Sequence, residues 1–376
     1  MPYFDTNATT PPSPAALAAE REISEQAWHN PSSPYRAAAR AHALLEDARE
    51  RLATLVGGNA KDYVFNSGAT EANNAVLAHA ANVTSAGARV VVSAVEHPSV
   101  LESAQAYFVD RVTLLPSDAR GVTRLEVLEE TLREGNVALV SLMAANNETG
   151  VLQPWREARV MAKAHGVLFH CDAAQWLGKL PSDTLAECDF LTGCAHKFCG
   201  TKGVGFLKVP AGDRVFHGLR GGEQEHGRRA GTENLAGICA MVAALETVSP
   251  RLAREQASWM HARELFEKAL PTAVPGVEIV GADVERLWNT VMFLAPRHEN
   301  TRWVAALDKR GFQVSTGSAC ATGSDGPSHV LAAMGVRPEE ARRALRVSAG
   351  WDTTTAEWDG LLAALAEAQV ALDESA

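Results

Sequence analysis

The stretch Thr192–Lys208 contains a residue that could do covalent chemistry, Lys197. It reads Thr-Gly-Cys-Ala-His-Lys-Phe-Cys-Gly-Thr-Lys-Gly-Val-Gly-Phe-Leu-Lys, and the apolar segment Val204–Val209 follows its small-residue turn. A lysine in a tight turn between buried strands is partly desolvated, and desolvation favours the neutral amine that attacks carbonyl groups. Lys197 is therefore a candidate Schiff-base lysine. A lone lysine is more often a surface residue of a hairpin, so this interpretation depends on the rest of the chain.

A candidate anion site lies earlier, at Ser67-Gly68-Ala69-Thr70, where a predicted strand turns into a helix. The glycine lets the backbone approach a ligand, and the free N–H groups of a helix N-terminus attract a phosphate. The alternative is an ordinary helix cap made by Ser67 or Thr70 with support from Glu71. This stretch alone leaves both interpretations open.

A carboxylate follows a third apolar segment. Asp172 and Gln175 come directly after the predicted strand Val167–Cys171. A carboxylate in an apolar setting needs a cationic partner, and a protonated pyridine nitrogen is one that turns the ring into an electron sink. The alternative is that Asp172 caps the next turn. An anion site, an acid and a lysine on successive strands together favour a phosphorylated pyridine cofactor.

Two more strand ends carry polar residues. His97 precedes Pro98 at a predicted helix start, where an imidazole can stack on a flat cofactor, move protons or simply cap the helix. Asn146-Asn147-Glu148-Thr149-Gly150 ends another strand, and its amides can hold a ring hydroxyl or a substrate carboxylate or form an Asx turn.

The C-terminal third contributes a thiol and a guanidinium. Cys320 lies in Ser-Thr-Gly-Ser-Ala-Cys-Ala-Thr-Gly-Ser, where small polar neighbours predict an accessible, reactive thiol in a mobile loop. Arg346, on a predicted strand, can clamp a carboxylate with two parallel hydrogen bonds, or form a surface ion pair. The other five cysteines lie in or beside apolar segments and are predicted to be structural.

Alternating strands and helices must position these residues. Strands are predicted at 63–65, 89–93, 137–143, 167–171 and 190–192, with helices between several of them. Such alternation predicts an α/β fold with a mostly parallel sheet, and in open sheets ligands bind at the carboxyl ends of the strands. Thr232–Leu270 is predicted as a long helix that Pro250 interrupts.

Two domains are expected from the length of 376 residues. We assign 13–250 to a large domain, and 1–12 with 251–376 to a smaller α+β domain.

Composition excludes several classes of function. The formal charge of −10 argues against nucleic acid or an anionic membrane as the main partner. We see no apolar run of the length that a membrane helix requires, and no secretion signal. The six cysteines form no Cys-x-x-Cys pair, so we expect no metal site and reduced thiols in a cytoplasmic protein.

Taken together, these motifs resemble the cysteine desulfurases of the NifS/IscS type, which are fold-type I enzymes of the class V aminotransferase group that use pyridoxal 5'-phosphate (PLP). The resemblance runs from Tyr3 to about Gly350. The motifs that carry it are Tyr-Phe-Asp-Thr-Asn-Ala-Thr-Thr at 3–10, Asn-Pro-Ser-Ser at 30–33, Ser-Gly-Ala-Thr-Glu-Ala-Asn-Asn at 67–74, Glu-His-Pro-Ser at 96–99, Asn-Asn-Glu-Thr-Gly at 146–150, Asp-Ala-Ala-Gln at 172–175, His-Lys-Phe-Cys-Gly-Thr-Lys-Gly-Val-Gly at 196–205, Arg-Arg-Ala-Gly-Thr-Glu-Asn at 228–234, Ser-Thr-Gly-Ser-Ala-Cys at 315–320 and Leu-Arg-Val-Ser at 345–348.

The resemblance implies a seven-stranded sheet, a homodimer and a role for each site residue. Lys197 binds PLP covalently, and Cys320 is the nucleophile that takes sulfur from L-cysteine as a persulfide and leaves L-alanine. The cofactor contacts that it implies are Asp172 at the pyridine nitrogen, Gln175 at the ring hydroxyl, His97 and Asn147 beside the ring, and Ala69, Thr70, His196 and Thr232 of the partner subunit at the phosphate. The substrate carboxylate is implied to bind Arg346 and Asn147, with Asn7 nearby.

One departure and several alternatives qualify this resemblance. Cys194 stands where such enzymes usually carry a Ser or Thr at the phosphate, and a thiol is the weaker donor. Selenocysteine lysis, transamination and a purely regulatory role are the alternatives. The sulfur acceptor stays open, and so does an iron–sulfur scaffold partner, because the chain ends soon after its last predicted helix.

Overall fold

The structure is a computed structural model that describes residues 1–213, 215–317 and 328–374. Within those ranges the helices are α1 (Pro14–Gln26), α2 (Arg36–Val56), α3 (Ala69–Val83), α4 (Pro98–Tyr107), α5 (Leu125–Glu134), α6 (Trp155–Ala164), α7 (Leu235–Ala273), α8 (Asn300–Asp308), α9 (His329–Ala333), α10 (Pro338–Ala341) and α11 (Thr355–Glu374). The strands are β1 (Tyr63–Asn66), β2 (Arg89–Ser93), β3 (Val112–Leu115), β4 (Val137–Ser141), β5 (Leu168–Asp172), β6 (Phe190–Cys194), β7 (Gly205–Lys208), β8 (Glu278–Ile279), β9 (Thr290–Leu294) and β10 (Ala344–Ser348).

A seven-stranded sheet forms the centre, in the order β1-β7-β6-β5-β4-β2-β3. Strands β6, β5, β4, β2 and β3 pair in parallel, and β7 runs antiparallel to both of its neighbours. The prediction of a mostly parallel sheet is confirmed. Its middle strands are buried along their length because helices cover both faces, which explains why their apolar runs are continuous.

A second, three-stranded antiparallel sheet has the order β10-β9-β8. Its apolar core contains Phe266, Trp303 and Trp358, and Phe4 from the N-terminus packs into the same cluster, edge-on to Trp358. The N-terminal segment also bridges to β10 through Asp5 and Ser348. Residues before α1 therefore pack with the small sheet, although the predicted domain boundaries themselves stay a prediction.

The long helix α7 is not interrupted at Pro250, so that part of the prediction is wrong. The helix has 39 residues and includes Pro250 and Pro271. Buried Leu245, Val248 and Leu252 pack on the core on both sides of Pro250, and this packing offsets the one hydrogen bond that a proline removes. Contrary to the sequence analysis, α7 is also long and apolar enough to cross a membrane, but 61% of its apolar window is buried inside the protein, as in any core helix.

Strand β3 and helix α5 were not predicted. Strand β3 has four residues and lies at the edge of the sheet, where only one of them is fully buried. A short, half-exposed edge strand lacks both the continuous apolar run and a strict alternation.

Candidate active site

A cavity of about 790 Å³ opens at the carboxyl ends of the strands of the large sheet. Eleven of the predicted site residues line it, and they come from both sheets and from the N-terminal segment. They are Asn7, Ala69, Thr70, His97, Asn147, Asp172, Gln175, Cys194, His196, Lys197 and Arg346. The rule that ligands bind at the carboxyl ends of parallel strands therefore located this cavity correctly.

Lys197 projects into the cavity from the turn between β6 and β7, and both of these strands are fully buried. Its Nζ donates to the backbone carbonyls of Asn7 at 2.6 Å and Ala8 at 2.8 Å. The N-terminal segment therefore directs the amine. The alternative, in which Lys197 is a surface residue of a hairpin, is wrong.

The N-terminus of α3 forms one end of the cavity. Its cap residue is Gly68, with φ +141°, and no side chain caps the helix. The alternative of a cap by Ser67 or Thr70 is wrong, because the Ser67 hydroxyl instead donates to Glu71 at 2.5 Å. Strand β7 approaches this turn so closely that a Cβ on Gly205 would lie 2.7 Å from the Gly68 Cα. The first residues of α3, Ala69 and Thr70, line the cavity.

Asp172 lies at the end of β5 as a buried carboxylate. Its Oδ2 accepts from Asn73 Nδ2 at 2.7 Å, and its Oδ1 accepts from the Ala174 backbone at 2.9 Å. Both of these donors are neutral, a side-chain amide and a backbone N–H. A buried carboxylate that lines a cavity and is held by neutral donors suits a cationic ligand.

His97 caps α4, so the capping alternative is confirmed, and it also lines the cavity, where its functional role stays a prediction. Its Nδ1 accepts from the Ser99 backbone at 3.1 Å and contacts the Ser99 hydroxyl at 2.8 Å. Burial is the main cause that lowers the pKa of His97, against the opposing charge of Asp172. The neutral imidazole is therefore favoured at neutral pH.

Sequence reasoning missed Asn73 and Ser99, which connect the carboxylate to the imidazole. Asn73 Nδ2 donates both to Asp172 and, at 2.9 Å, to the Ser99 hydroxyl. Asn73 lies one helical turn after Ala69 on α3, so this spacing within the Ser-Gly-Ala-Thr-Glu-Ala-Asn-Asn motif was the available signal.

Arg346 is fully buried, so the alternative of a surface ion pair is wrong. Its Nη2 pairs with Asp5 at 2.6 Å, and its Nη1 donates to the carbonyls of Asn147 at 3.0 Å and Gly317 at 2.9 Å. Among the described residues, its Nε has no hydrogen-bond partner. The guanidinium is thus held rigidly at the cavity, with its Nε buried.

The thiol of Cys194 and the imidazole of His196 lie beside the α3 end of the cavity. Burial raises the pKa of Cys194 to about 11, and the backbone amide of Ala69 lies against its sulfur. Burial also lowers the pKa of His196 to about 4, and its Nδ1 lies 3.2 Å from the Thr9 hydroxyl. Both groups are therefore uncharged near neutral pH.

Two predicted residues are not seen in the cavity. Thr232 is exposed and does not line the cavity of its own chain. Cys320 lies outside the described residues. The structure does describe both flanks of that segment, since Gly317 accepts a hydrogen bond from Arg346 and Ser328 lines the cavity.

Glu96 is a further buried acid that the sequence analysis did not single out. It is fully buried next to His97, where the backbone amides of Met143 and His97 favour its ionised form. Burial, and then the charge of Asp172, raise the pKa of Glu96 well above its usual value. The folded protein therefore holds this side chain protonated at pH values where the unfolded chain ionises it.

We expect Glu96→Gln to stabilise the protein increasingly as the pH rises from 5 to 8. The stability that the proton provides is complete below the unfolded pKa of about 4.5 and is lost as the pH rises towards the higher folded value. The gap between variant and parent should widen by up to about 1.4 kcal/mol per pH unit. Urea unfolding at four pH values measures it, with exposed Glu157→Gln as the control. A gap that is constant or shrinks with pH would contradict a protonated Glu96.

Comparison with known proteins identifies the class to which this fold and cavity belong. The profile of the family described as aminotransferase class-V matches residues 2–361. That range is almost the whole chain, and the chain belongs to this family.

Curated relatives define the group within the family more narrowly. Cysteine desulfurase IscS of Dictyoglomus turgidum is 35% identical over 94% of this chain and 90% of its own length. The cysteine desulfurase of Rhodobacter capsulatus is 37% identical, with coverage of 97% and 95%. These relatives place the chain among the cysteine desulfurases, as the motifs predicted.

Solved structures agree with the fold. A NifS-like protein superimposes with a TM-score of 0.90 at 31% identity, covering 98% of this chain and 99% of that one. The NifS-like protein from Rickettsia africae gives 0.88 at 29% identity with the same coverage. The predicted α/β fold of fold-type I is confirmed, and the family is one of PLP enzymes.

Proposed function

We propose that this protein removes sulfur from L-cysteine with bound PLP, yielding L-alanine and a persulfide on Cys320. The observation that carries the proposal is the meeting of Lys197, Asp172 and the open N-terminus of α3 around one cavity. This combination supplies an amine, an acid and an anion site in one cavity, and it supports the proposal in addition to the family membership.

Three features of the cavity fit PLP. The carboxylate of Asp172 is buried, lines the cavity and is held by neutral donors, which suits a protonated pyridine nitrogen. The N-terminus of α3 lines the cavity at Ala69 and Thr70 and has no cap from its N-cap residue, which suits a phosphate. The Lys197 amine is directed into the same space. Gln175 would meet the ring hydroxyl, His97 and Asn147 would flank the ring, and Cys194 and His196 would complete the phosphate site.

When bound, PLP would link covalently to amines and withdraw the electron pair that develops at the substrate Cα. Arg346 and Asn147 hold the substrate carboxylate, with Asn7 fixing Asn147 through its backbone carbonyl at 3.1 Å. The Lys197 amine carries the α-proton, and the neutral His97 assists proton transfer within the cavity. These residues thus do the binding, orientation and proton movement of the reaction.

Sulfur leaves by a separate step on Cys320. Its thiolate attacks the substrate sulfur, so a sulfur–sulfur bond forms while the substrate Cβ–S bond breaks. The electron pair of that bond stays with the carbon framework, which takes up a proton and leaves as alanine. L-Cysteine and one thiol therefore become L-alanine and one persulfide, and an acceptor thiol or a reductant then removes the outer sulfur.

The product ratio tests this function directly. Purified protein with PLP, L-cysteine and dithiothreitol should release sulfide and alanine in equal amounts. Pyruvate or another keto acid would indicate elimination or transamination instead, and no product would favour a regulatory role. The same assay with L-selenocysteine separates desulfuration from selenocysteine lysis.

The subunit arrangement and location are part of the proposal. Thr232 is exposed and outside its own cavity, which suits a homodimer in which it reaches the partner's phosphate site. Because the five described cysteines are free thiols, the cytoplasm is the compartment that suits them. Light scattering measures the dimer, and Thr232→Ala should weaken PLP binding if the threonine reaches across. The sulfur-acceptor protein stays open.

We expect Cys194→Ser to keep or improve PLP retention. The buried thiol stays neutral and donates weakly, whereas a hydroxyl is a full hydrogen-bond donor of similar size. Titration of the apo-protein with PLP should give a dissociation constant equal to or lower than that of the parent. Cys239→Ser, in α7 and outside the cavity lining, is the matched control. A clear loss of bound PLP in Cys194→Ser alone would reject this role for the thiol.

A further inference from the structure

Lys179 is a fully buried lysine that the proposed mechanism does not use. It lies in the turns after β5, behind the cavity wall, and does not line the cavity itself. Its Nζ donates to Gln175 Oε1 at 2.6 Å and to Asn7 Oδ1 at 2.8 Å. A buried amine is costly unless such partners satisfy it, so these two contacts define its place in the molecule.

The contact with Gln175 fixes the direction of an amide that faces the cofactor space. A side-chain amide can be turned over, which exchanges its donor and acceptor ends. Because Lys179 donates to Oε1, the Nε2 end of Gln175 must point the other way, and it donates to the Asn7 carbonyl at 2.9 Å. Without Lys179, the amide loses one of the two contacts that distinguish its orientations.

The contact with Asn7 reaches the reactive amine. Asn7 Oδ1 accepts from both Lys179 and Asn289, and the backbone carbonyl of Asn7 accepts from Lys197 Nζ at 2.6 Å. Burial, and then the nearby charges of Lys197 and Arg346, lower the pKa of Lys179 well below its usual value. Electrostatic interactions are reciprocal, so a charge on Lys179 also acts on the Lys197 amine.

We propose that Lys179 is a positioning residue of the active site, which holds the Gln175 amide and the Asn7 carbonyl in the orientations they need towards the cofactor and Lys197. The proposal rests on the proposed function, since it concerns how that cofactor is held. It predicts an effect on PLP binding that is transmitted through Gln175.

A double-mutant cycle tests it. Lys179→Met keeps most of the side-chain length but removes the donors, and we expect the dissociation constant of PLP to rise about tenfold, as for one lost buried hydrogen bond. In a Gln175→Ala background, Lys179→Met should raise the dissociation constant of PLP by less than about a further twofold, because the Gln175 amide that Lys179 orients is already absent. The pH at which the visible absorption of the bound PLP changes should also shift in Lys179→Met.

Lys208 offers a matched control. It is also a buried lysine, its Nζ donates to the Cys188 carbonyl at 2.8 Å, and it does not line the cavity. Lys208→Met should lower the thermal stability without changing PLP affinity or the visible titration. If Lys179→Met does not fold, Lys179→Arg, which keeps donors, should retain PLP affinity closer to the parent than Gln175→Ala does.

The possible outcomes test the positioning role of Lys179 and the proposed function separately. Equal PLP affinity in Lys179→Met and Lys208→Met, or full additivity with Gln175→Ala, would overturn the positioning role and leave the desulfurase function intact. A parent protein that binds no PLP would overturn the proposed function, and this role with it.

Discussion

Replacing Lys197 with alanine should lower the rate of sulfur release from L-cysteine by about a thousandfold or more, because the proposed mechanism makes one amine both the covalent link and the proton carrier. The structure directs this amine with two backbone carbonyls, those of Asn7 and Ala8. Alanine leaves both acceptors without their donor and removes the group proposed to move the α-proton. Sulfide and alanine are measured together at saturating cysteine.

A second readout separates chemistry from folding. Borohydride should fix PLP covalently to the parent protein, as mass spectrometry shows, and should fix none to Lys197→Ala. Lys163→Ala, an exposed residue of α6, is the control and should behave as the parent does. A Lys197→Ala protein that turns over within tenfold of the parent would exclude the lysine from the reaction.

Cys320→Ser should abolish sulfur release while the visible absorption of bound PLP remains. A hydroxyl is not ionised at neutral pH and does not form a persulfide, so we expect a loss of about a hundredfold or more. Although Cys320 lies outside the described residues, it is three residues from Gly317, whose carbonyl is bonded to Arg346.

The other thiols provide the controls for Cys320. Burial raises the pKa of Cys194, Cys199 and Cys239 to about 11, so each stays a poorly nucleophilic thiol. Cys239→Ser should therefore retain full alanine formation. We propose that Lys197 activates the substrate carbon and that Cys320 removes the sulfur. If Cys320→Ser released sulfur at the parental rate, this assignment of two separate roles would be wrong.

Residues at strand ends were predictable because their chemistry and their position in the chain agree. Asp172 and Lys197 follow apolar segments that had to be buried strands, and parallel strands bring such ends to one edge. Arg346 was predicted as a site residue, but its burial was not, since its Asp5 partner is 341 positions away.

Contacts between distant segments explain what the sequence analysis missed. The sequence around Lys179 does not indicate that this lysine is buried, because its partner Asn7 is distant in the chain. The burial of Glu96 likewise results from tertiary packing and not from its neighbours in the sequence. The helix through Pro250 was missed for a similar reason, since tertiary packing on both sides outweighs the local preference of proline to end a helix.

The hydrogen bonds of the N-terminal segment have a consequence for biosynthesis. Asn7 donates to Thr290 at 2.9 Å, and Asp5 pairs with Arg346, so this segment is synthesised long before its partners. Domains fold as the chain emerges, N-terminal part first, but these contacts cannot form until translation has passed β10. The wall that this segment contributes to the cavity is therefore completed late in synthesis.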